Sequence, residues 1–217
     1  MKKAIPIKLM IFDLDGTIVD SAKDIILSVN ATLKSLGLKE KSEDVISSYI
    51  GYGSVRLIAD AIGLDDEKLI SKGVDFYWDY YRKHSLDNTK LFPGTTEILE
   101  HFKEKRKVIV SNKVKEFVVH QLKAFKIERY FEVVVGGDDL KCAKPSPCPV
   151  NDILKQFNIQ KNEAIMIGDM AIDIQTGKAA GIHTCAVAYG LGKKEDLFEE
   201  KPDIVISELS KLKELIK

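Results

Sequence analysis

Asp13 and Asp15 stand one residue apart, directly after the apolar run Leu9-Met10-Ile11-Phe12 and just before Gly16-Thr17. In an extended chain the side chains of residues i and i+2 point to the same side. Both acids therefore project from the end of a strand into one small volume, and Gly16 lets the backbone turn sharply behind them. Two carboxylates about 4 Å apart repel by roughly 4 kcal/mol at an effective dielectric near 20. A fold keeps such a pair where a cation, a shared proton or a function offsets the repulsion. Alone, the pair reads equally well as an Asp-rich turn after a strand.

Three further clusters follow at comparable places. Val108-Ile109-Val110 runs into Ser111-Asn112-Lys113, and a later loop carries Lys144-Pro145-Ser146-Pro147. Ala164-Ile165-Met166-Ile167 runs into Gly168-Asp169 and then Asp173. Each is weak by itself: Ser-Asn after a strand is commonly a turn or cap, Lys-Pro a solvated loop, Gly-Asp a turn. In this order, at matching strand ends, they are not accidental.

The elements that must position them alternate. Strands are expected at Lys8–Phe12, Lys107–Val110, Val133–Val135, Ala164–Ile167, Thr184–Val187 and Ile204–Ile206. Most are continuous apolar runs, as in strands covered on both faces. Helical patterns lie between them at Thr95–Lys105, Val114–Phe125, Pro149–Phe157 and Ile172–Ala180. Repeated βα units imply an α/β fold with a doubly wound parallel sheet. Ligands of such sheets bind at the carboxyl ends of the strands, where the polar clusters fall. Between Ile18 and about Leu91 the pattern is helical with no convincing strand, as at Ser54–Ile62 and Glu67–His84. The expected organisation is a core of residues 1–18 and 90–217 with a helical insert over 19–89, hinged near Ile18–Ser21 and Asn88–Pro93. Asp20 or Ser21 is a possible cap for the first helix of the insert.

Composition narrows the class. The chain has 217 residues, 45% hydrophobic and 30% charged, with Lys+Arg and Asp+Glu balanced at 33 each. That balance argues against a nucleic-acid binder. No run approaches a membrane span, and the start does not read as a secretory signal. A cytoplasmic protein without membrane association is expected. Cys142, Cys148 and Cys185 are odd in number and form no Cys-x-x-Cys pair, so no disulfide framework or zinc site is expected, and Cys142 and Cys148, which bracket the Lys-Pro-Ser-Pro loop, are expected as ordinary small residues rather than a redox pair.

Asp13-Leu14-Asp15-Gly16-Thr17, Ser111-Asn112, Lys144-Pro145 and Gly168-Asp169 with Asp173 resemble the four motifs of the haloacid dehalogenase-like hydrolases, over essentially the full length. The insert is similar to the cap of the phosphoglycolate phosphatase branch. The resemblance implies a Rossmann-like core and a Mg²⁺-dependent phosphomonoester hydrolase acting on a small phosphorylated metabolite, with 2-phosphoglycolate the first guess. It implies Asp13 as the nucleophile and Asp15 as the general acid and base. Asp13, Asp169 and the Asp15 backbone carbonyl would hold the metal, with Asp173 and Gly168 supporting. Ser111, Asn112 and Lys144 would bind phosphate. Met170 departs from the small hydroxyl residue that relatives often carry after the metal-binding Asp. In this branch the insert carries substrate specificity; Arg56, Arg82, Lys83 and His84 within it read more readily as solvated charge than as substrate contacts. A hexose-phosphate mutase similar to β-phosphoglucomutase would share Asp13, Asp15, Ser111, Lys144 and Asp169. A catalytically silent phosphate-binding scaffold is the alternative from another class. A monomer or homodimer fits either reading.

Overall fold

A computed structural model describes residues 4–138 and 143–217. Six parallel strands form the central sheet: β1 (Leu9–Phe12), β4 (Arg106–Val110), β5 (Val133–Val135), β6 (Ala164–Gly168), β7 (His183–Val187) and β8 (Ile204–Ile206), in the order β5-β4-β1-β6-β7-β8. Two shorter strands, β2 (Val19–Asp20) and β3 (Lys90–Leu91), pair antiparallel apart from it. β1 lies at the centre, with Phe12 opposite Ile109 on one side and Ile167 on the other. The three strands therefore end level, and the residues that follow them meet at one edge.

The continuous apolar runs are explained by two covered faces. Leu9 and Ile11 of β1 join Val108, Val110 and Met166 in one apolar cluster, while Met10 and Phe12 join Ile109, Ile165 and Ile167 in another. Each large side chain removed from water in this way contributes about 1.5–3 kcal/mol. The flanking helices are α5 (Thr95–His101), α6 (Lys115–Ala124), α7 (Cys148–Phe157), α8 (Ala171–Ala180), α9 (Lys194–Glu199) and α10 (Leu212–Leu215). Pro149 sits in the first turn of α7, where its missing N–H costs nothing.

Four helices lie between β2 and β3: α1 (Ala22–Ser35), α2 (Glu43–Ser47), α3 (Ser54–Ile62) and α4 (Glu67–His84). They share an apolar cluster that includes Ile25, Val29, Leu33, Ile58, Tyr77 and Tyr81, and Phe117 of α6 joins it from the core. The absence of strand expected across this stretch is corrected at its ends, since the two crossings pair as β2 and β3. Two-residue strands carry too little alternation to show in sequence. Asp24 at the start of α1 fastens the same place. Its carboxylate accepts from the backbone N–H of Asn88 and Thr89 and from the side chains of both, at 2.7–3.0 Å. Burial works to raise the Asp24 pKa, but these hydrogen bonds outweigh it and hold it below the ordinary value.

Cys148 is disulfide-bonded, contrary to the expectation of an ordinary small residue. An odd cysteine count argues against a framework of bridges but does not bear on a single one. Cys142 lies outside the described residues, and Cys185 is a buried free thiol.

Candidate active site

The ends of β1, β4 and β6 bring Asp13, Ser111 and Asp169 to one edge of the sheet, and the loop before α7 brings Lys144. Asp13 follows β1 directly, its N–H donating to the carbonyl of Ile167 at 2.9 Å. Gly16 then turns the chain with φ +84°, and the Asp169 carboxylate occupies the space a Cβ would need, 2.1 Å from it. Any side chain there would be strained in the backbone and would displace the acid. Gly168 is constrained in a similar way by Asp173, whose carboxylate would lie 2.3 Å from an added Cβ.

Lys144 is the electrostatic centre. Its ammonium lies 2.8 Å from Asp13 Oδ1 and 2.6 Å from Asp173 Oδ1, and all three residues are buried. Burial alone would depress the lysine, but the two carboxylates outweigh it and hold its pKa above the ordinary value. The contact with Asp13 is a buried ion pair outside good hydrogen-bond alignment. Burial raises the Asp13 pKa against the pull of Lys144. Burial also raises that of Asp169, reinforced by Asp173 and Asp13.

Asp13, Asp169 and Asp173 each bring one carboxylate oxygen within 4.8 Å of the others. Crowded hard oxygen donors fit a small divalent cation such as Mg²⁺. Within the cluster the acids differ. Asp173 has both oxygens held, one by Lys144 and the other by the Met170 N–H at 3.0 Å. Asp169 accepts from Thr17 Oγ1 at 2.9 Å and from the Leu191 N–H at 2.7 Å, which keep its carboxylate aimed while leaving lone pairs free.

The Asp15 carboxylate points away from this cluster. Its Oδ1 accepts from Ser21 Oγ at 2.5 Å, and Lys113 Nζ lies 2.8 and 3.0 Å from its two oxygens. Any part of Asp15 in metal binding falls to its backbone carbonyl. Ser21 precedes α1 but does not cap it with its side chain; its hydroxyl is spent on Asp15 instead. Ser111 is buried, and its Oγ accepts the Lys113 N–H at 3.3 Å. Asn112 acts as a brace. Its amide nitrogen donates to the carbonyls of Gly51 and Lys144, and its oxygen accepts the Lys144 N–H at 2.9 Å. One side chain thus pins the Lys144 loop and an insert loop to the end of β4.

Thr17, Ser21 and Tyr81 were not legible as site residues, because each is an ordinary polar or core residue until the fold places it. Lys113 had a signal, its place beside Ser111-Asn112, but no assigned role. Arg56 and Arg82 lie in exposed ion pairs with Asp60 and with Glu116 and Asp79.

The family model described as haloacid dehalogenase-like hydrolase matches residues 10–187. The chain belongs to that family. It is 37% identical to a phosphoglycolate phosphatase of Aquifex aeolicus over 215 residues, covering 96% of each chain. It is 34% identical to one of Nitrosospira multiformis over 219 residues, covering 98% of this chain and 96% of the relative. A crystal structure described as a predicted phosphoglycolate phosphatase from Haemophilus somnus superposes with a TM-score of 0.92 at 28% identity, covering 96% of this chain and 97% of the other. The six-stranded parallel sheet is thus the fold of haloacid dehalogenase-like phosphatases.

Proposed function

We propose that this hydrolase cleaves a small phosphomonoester through a phosphoryl group carried transiently on Asp13, with 2-phosphoglycolate as the first substrate to test. The observation that carries the reading is the Asp13–Lys144–Asp173 cluster, in which a buried carboxylate at a strand end is held beside a buried cation. The names of the sequence relatives support the substrate.

Phosphoryl transfer needs positioning and charge neutralisation more than covalent machinery. A carboxylate oxygen of Asp13 attacks phosphorus, and the bond to the leaving oxygen breaks. Asp15 gives that oxygen its proton, so the product departs as an alcohol. Asp15, now ionised, takes a proton from water as it attacks phosphorus, which frees Asp13 and releases phosphate. Lys144 and Ser111 offset charge on the phosphoryl oxygens, while Asn112 keeps Lys144 in place. Asp13, Asp169 and the Asp15 carbonyl would hold Mg²⁺, with Asp173 fixing Lys144 and the turn beside it. Bound there, the ion would supply neutralisation between an anionic nucleophile and an anionic phosphate. The helical insert would act as a cap, closing over Asp13 to exclude bulk water.

The test is phosphate release from 2-phosphoglycolate with Mg²⁺ or with EDTA, alongside Asp13→Asn. Release that needs Mg²⁺ and falls on the order of 10³-fold or more in the variant is expected. A folded Asp13→Asn protein with ordinary turnover would sink the mechanism. Isomerised sugar phosphate without net phosphate release would point to the mutase chemistry instead.

A further inference from the structure

The cavity between the insert and the sheet edge is small, about 50 Å³, and Asp13, Asp15 and Ser111 line its floor. On this measure a cavity needs about 10–15 Å³ to hold one water, so with the insert in this position it admits only a few water-sized groups. The wall contributed by the insert is apolar, aromatic, glycine or hydroxyl, as in Ile50, Gly53, Ser54 and Tyr77. The insert places no Lys, Arg or His in that wall. Lys144 lies behind Asp13, committed to two carboxylates. Among the described residues, the cation that lines the cavity is Lys113, from the core.

Its ammonium is built in rather than loose. The Lys113 side chain is 8% exposed, and Nζ donates to Tyr81 Oη at 2.7 Å and lies 4.7 Å from the centre of the Tyr81 ring. Tyr81 is fixed in turn by Gln121 Nε2 at 3.1 Å, by stacking on Tyr77 and by the edge of Phe117. The remaining bonds of the ammonium go to both oxygens of a carboxylate, that of Asp15. All three donors of the ammonium are thus engaged, two of them by a carboxylate, so a substrate carboxylate is received here by exchange with an oxygen of Asp15, the residue that hands a proton to the leaving group.

We propose that Lys113 is the specificity-determining residue for an anionic leaving group: it receives a carboxylate carried by the alcohol half of the phosphomonoester. The inference rests on the phosphatase reading above and deepens it. Selection for charge then comes from the core, from the residue after Ser111-Asn112. The insert sets size.

The test compares kcat/KM for 2-phosphoglycolate with that for 2-hydroxyethyl phosphate, which has a neutral alcohol in place of the carboxylate. A charge-assisted hydrogen bond is worth about 1.5–3 kcal/mol, or roughly 10- to 150-fold. The wild type is expected to favour the anionic ester by a factor in that range, mainly through KM. Lys113→Gln should bring the ratio toward one, and Lys113→Arg should keep it. The ratio cancels any general damage from disturbing Asp15, because both esters share it. A wild type that does not distinguish the esters, or a Lys113→Gln protein with the ratio intact, overturns the proposal. Glycolate binding by calorimetry separates this failure from that of the phosphatase reading. Binding that needs Lys113, in a protein that turns over neither ester, upholds the receptor and rejects the phosphatase. No glycolate binding to the wild type in such a protein rejects both.

Discussion

At the scale of residues, the site is organised by one buried cation. Lys144 holds Asp13 and Asp173 within ion-pair distance, and all three sit where water does not screen them. Removing one partner of such a group leaves uncompensated charge, at a cost of about 3–5 kcal/mol. Lys144→Met is therefore expected to lower the urea midpoint substantially and to cut kcat by roughly 10²–10³. Stability and kcat both near wild type would show that the lysine is ornamental. The motif residues were legible because their types carry the chemistry, and Asp13, Lys144, Asp169 and Asp173 do converge. The partners of Asp15 were not. Nothing about Ser21 or Lys113 in sequence says that both reach the same carboxylate, because that contact joins the start of α1 to the end of β4.

At the scale of elements, sequence periodicity located the βα units and α3 and α4, since apolar spacing reports directly on which face is buried. It overran α5, expected to Lys105 and ending at His101. After that helix the chain turns, and the Lys107 ammonium bonds the carbonyls of Phe102 and Lys105, a local side-chain clasp that apolar spacing does not report. It also missed the β2–β3 pairing and the Asp24 clasp, which depend on residues far apart in the chain. Asp24→Ala should cost about 2–3 kcal/mol, because it strands the buried Thr89 donors. Its pH dependence has a definite sign. A folded pKa below the unfolded one gives stability that is present above the ordinary Asp value and lost as pH falls through the lowered one. The wild type should therefore lose more stability than Asp24→Ala on acidification below the ordinary value. Parallel acid-unfolding profiles for the two proteins would contradict the clasp.

At the scale of the whole molecule, the carboxylate cluster opposes folding when no cation is bound. Burial raises the pKa of Asp13 and of Asp169 above the ordinary 3.8. The folded form then holds protons that the unfolded chain has already released, so stability falls as pH climbs from 3.8 toward the raised values. In EDTA the melting temperature should decline through that window, and Asp169→Asn should flatten the decline. Saturating Mg²⁺ should raise the melting temperature, most at the upper end of the window, because it binds the folded form alone. An Asp169→Asn protein with the wild-type slope in EDTA would show that the cluster is not the source. Arg82 of α4 pairs with Glu116 of α6 across the boundary between insert and core, yet both are half exposed. An exposed pair contributes little, about 0.2–1 kcal/mol, so the join between insert and core rests instead on the buried packing of Phe117 and on the hydrogen bonds of Asn112 to Gly51 and of Gln121 to Tyr81.

The central claim is that Asp13 carries the phosphoryl group, and it is tested most directly by catching it there. Enzyme mixed with Mg²⁺ and excess 2-phosphoglycolate is quenched in acid within the first turnover, and its peptides are weighed. The expected result is one added phosphoryl group on the peptide containing Asp13, absent in Asp13→Asn and absent after the substrate is exhausted. Steady phosphate release with no such adduct at any quench time, or an adduct on a different residue, would contradict the account.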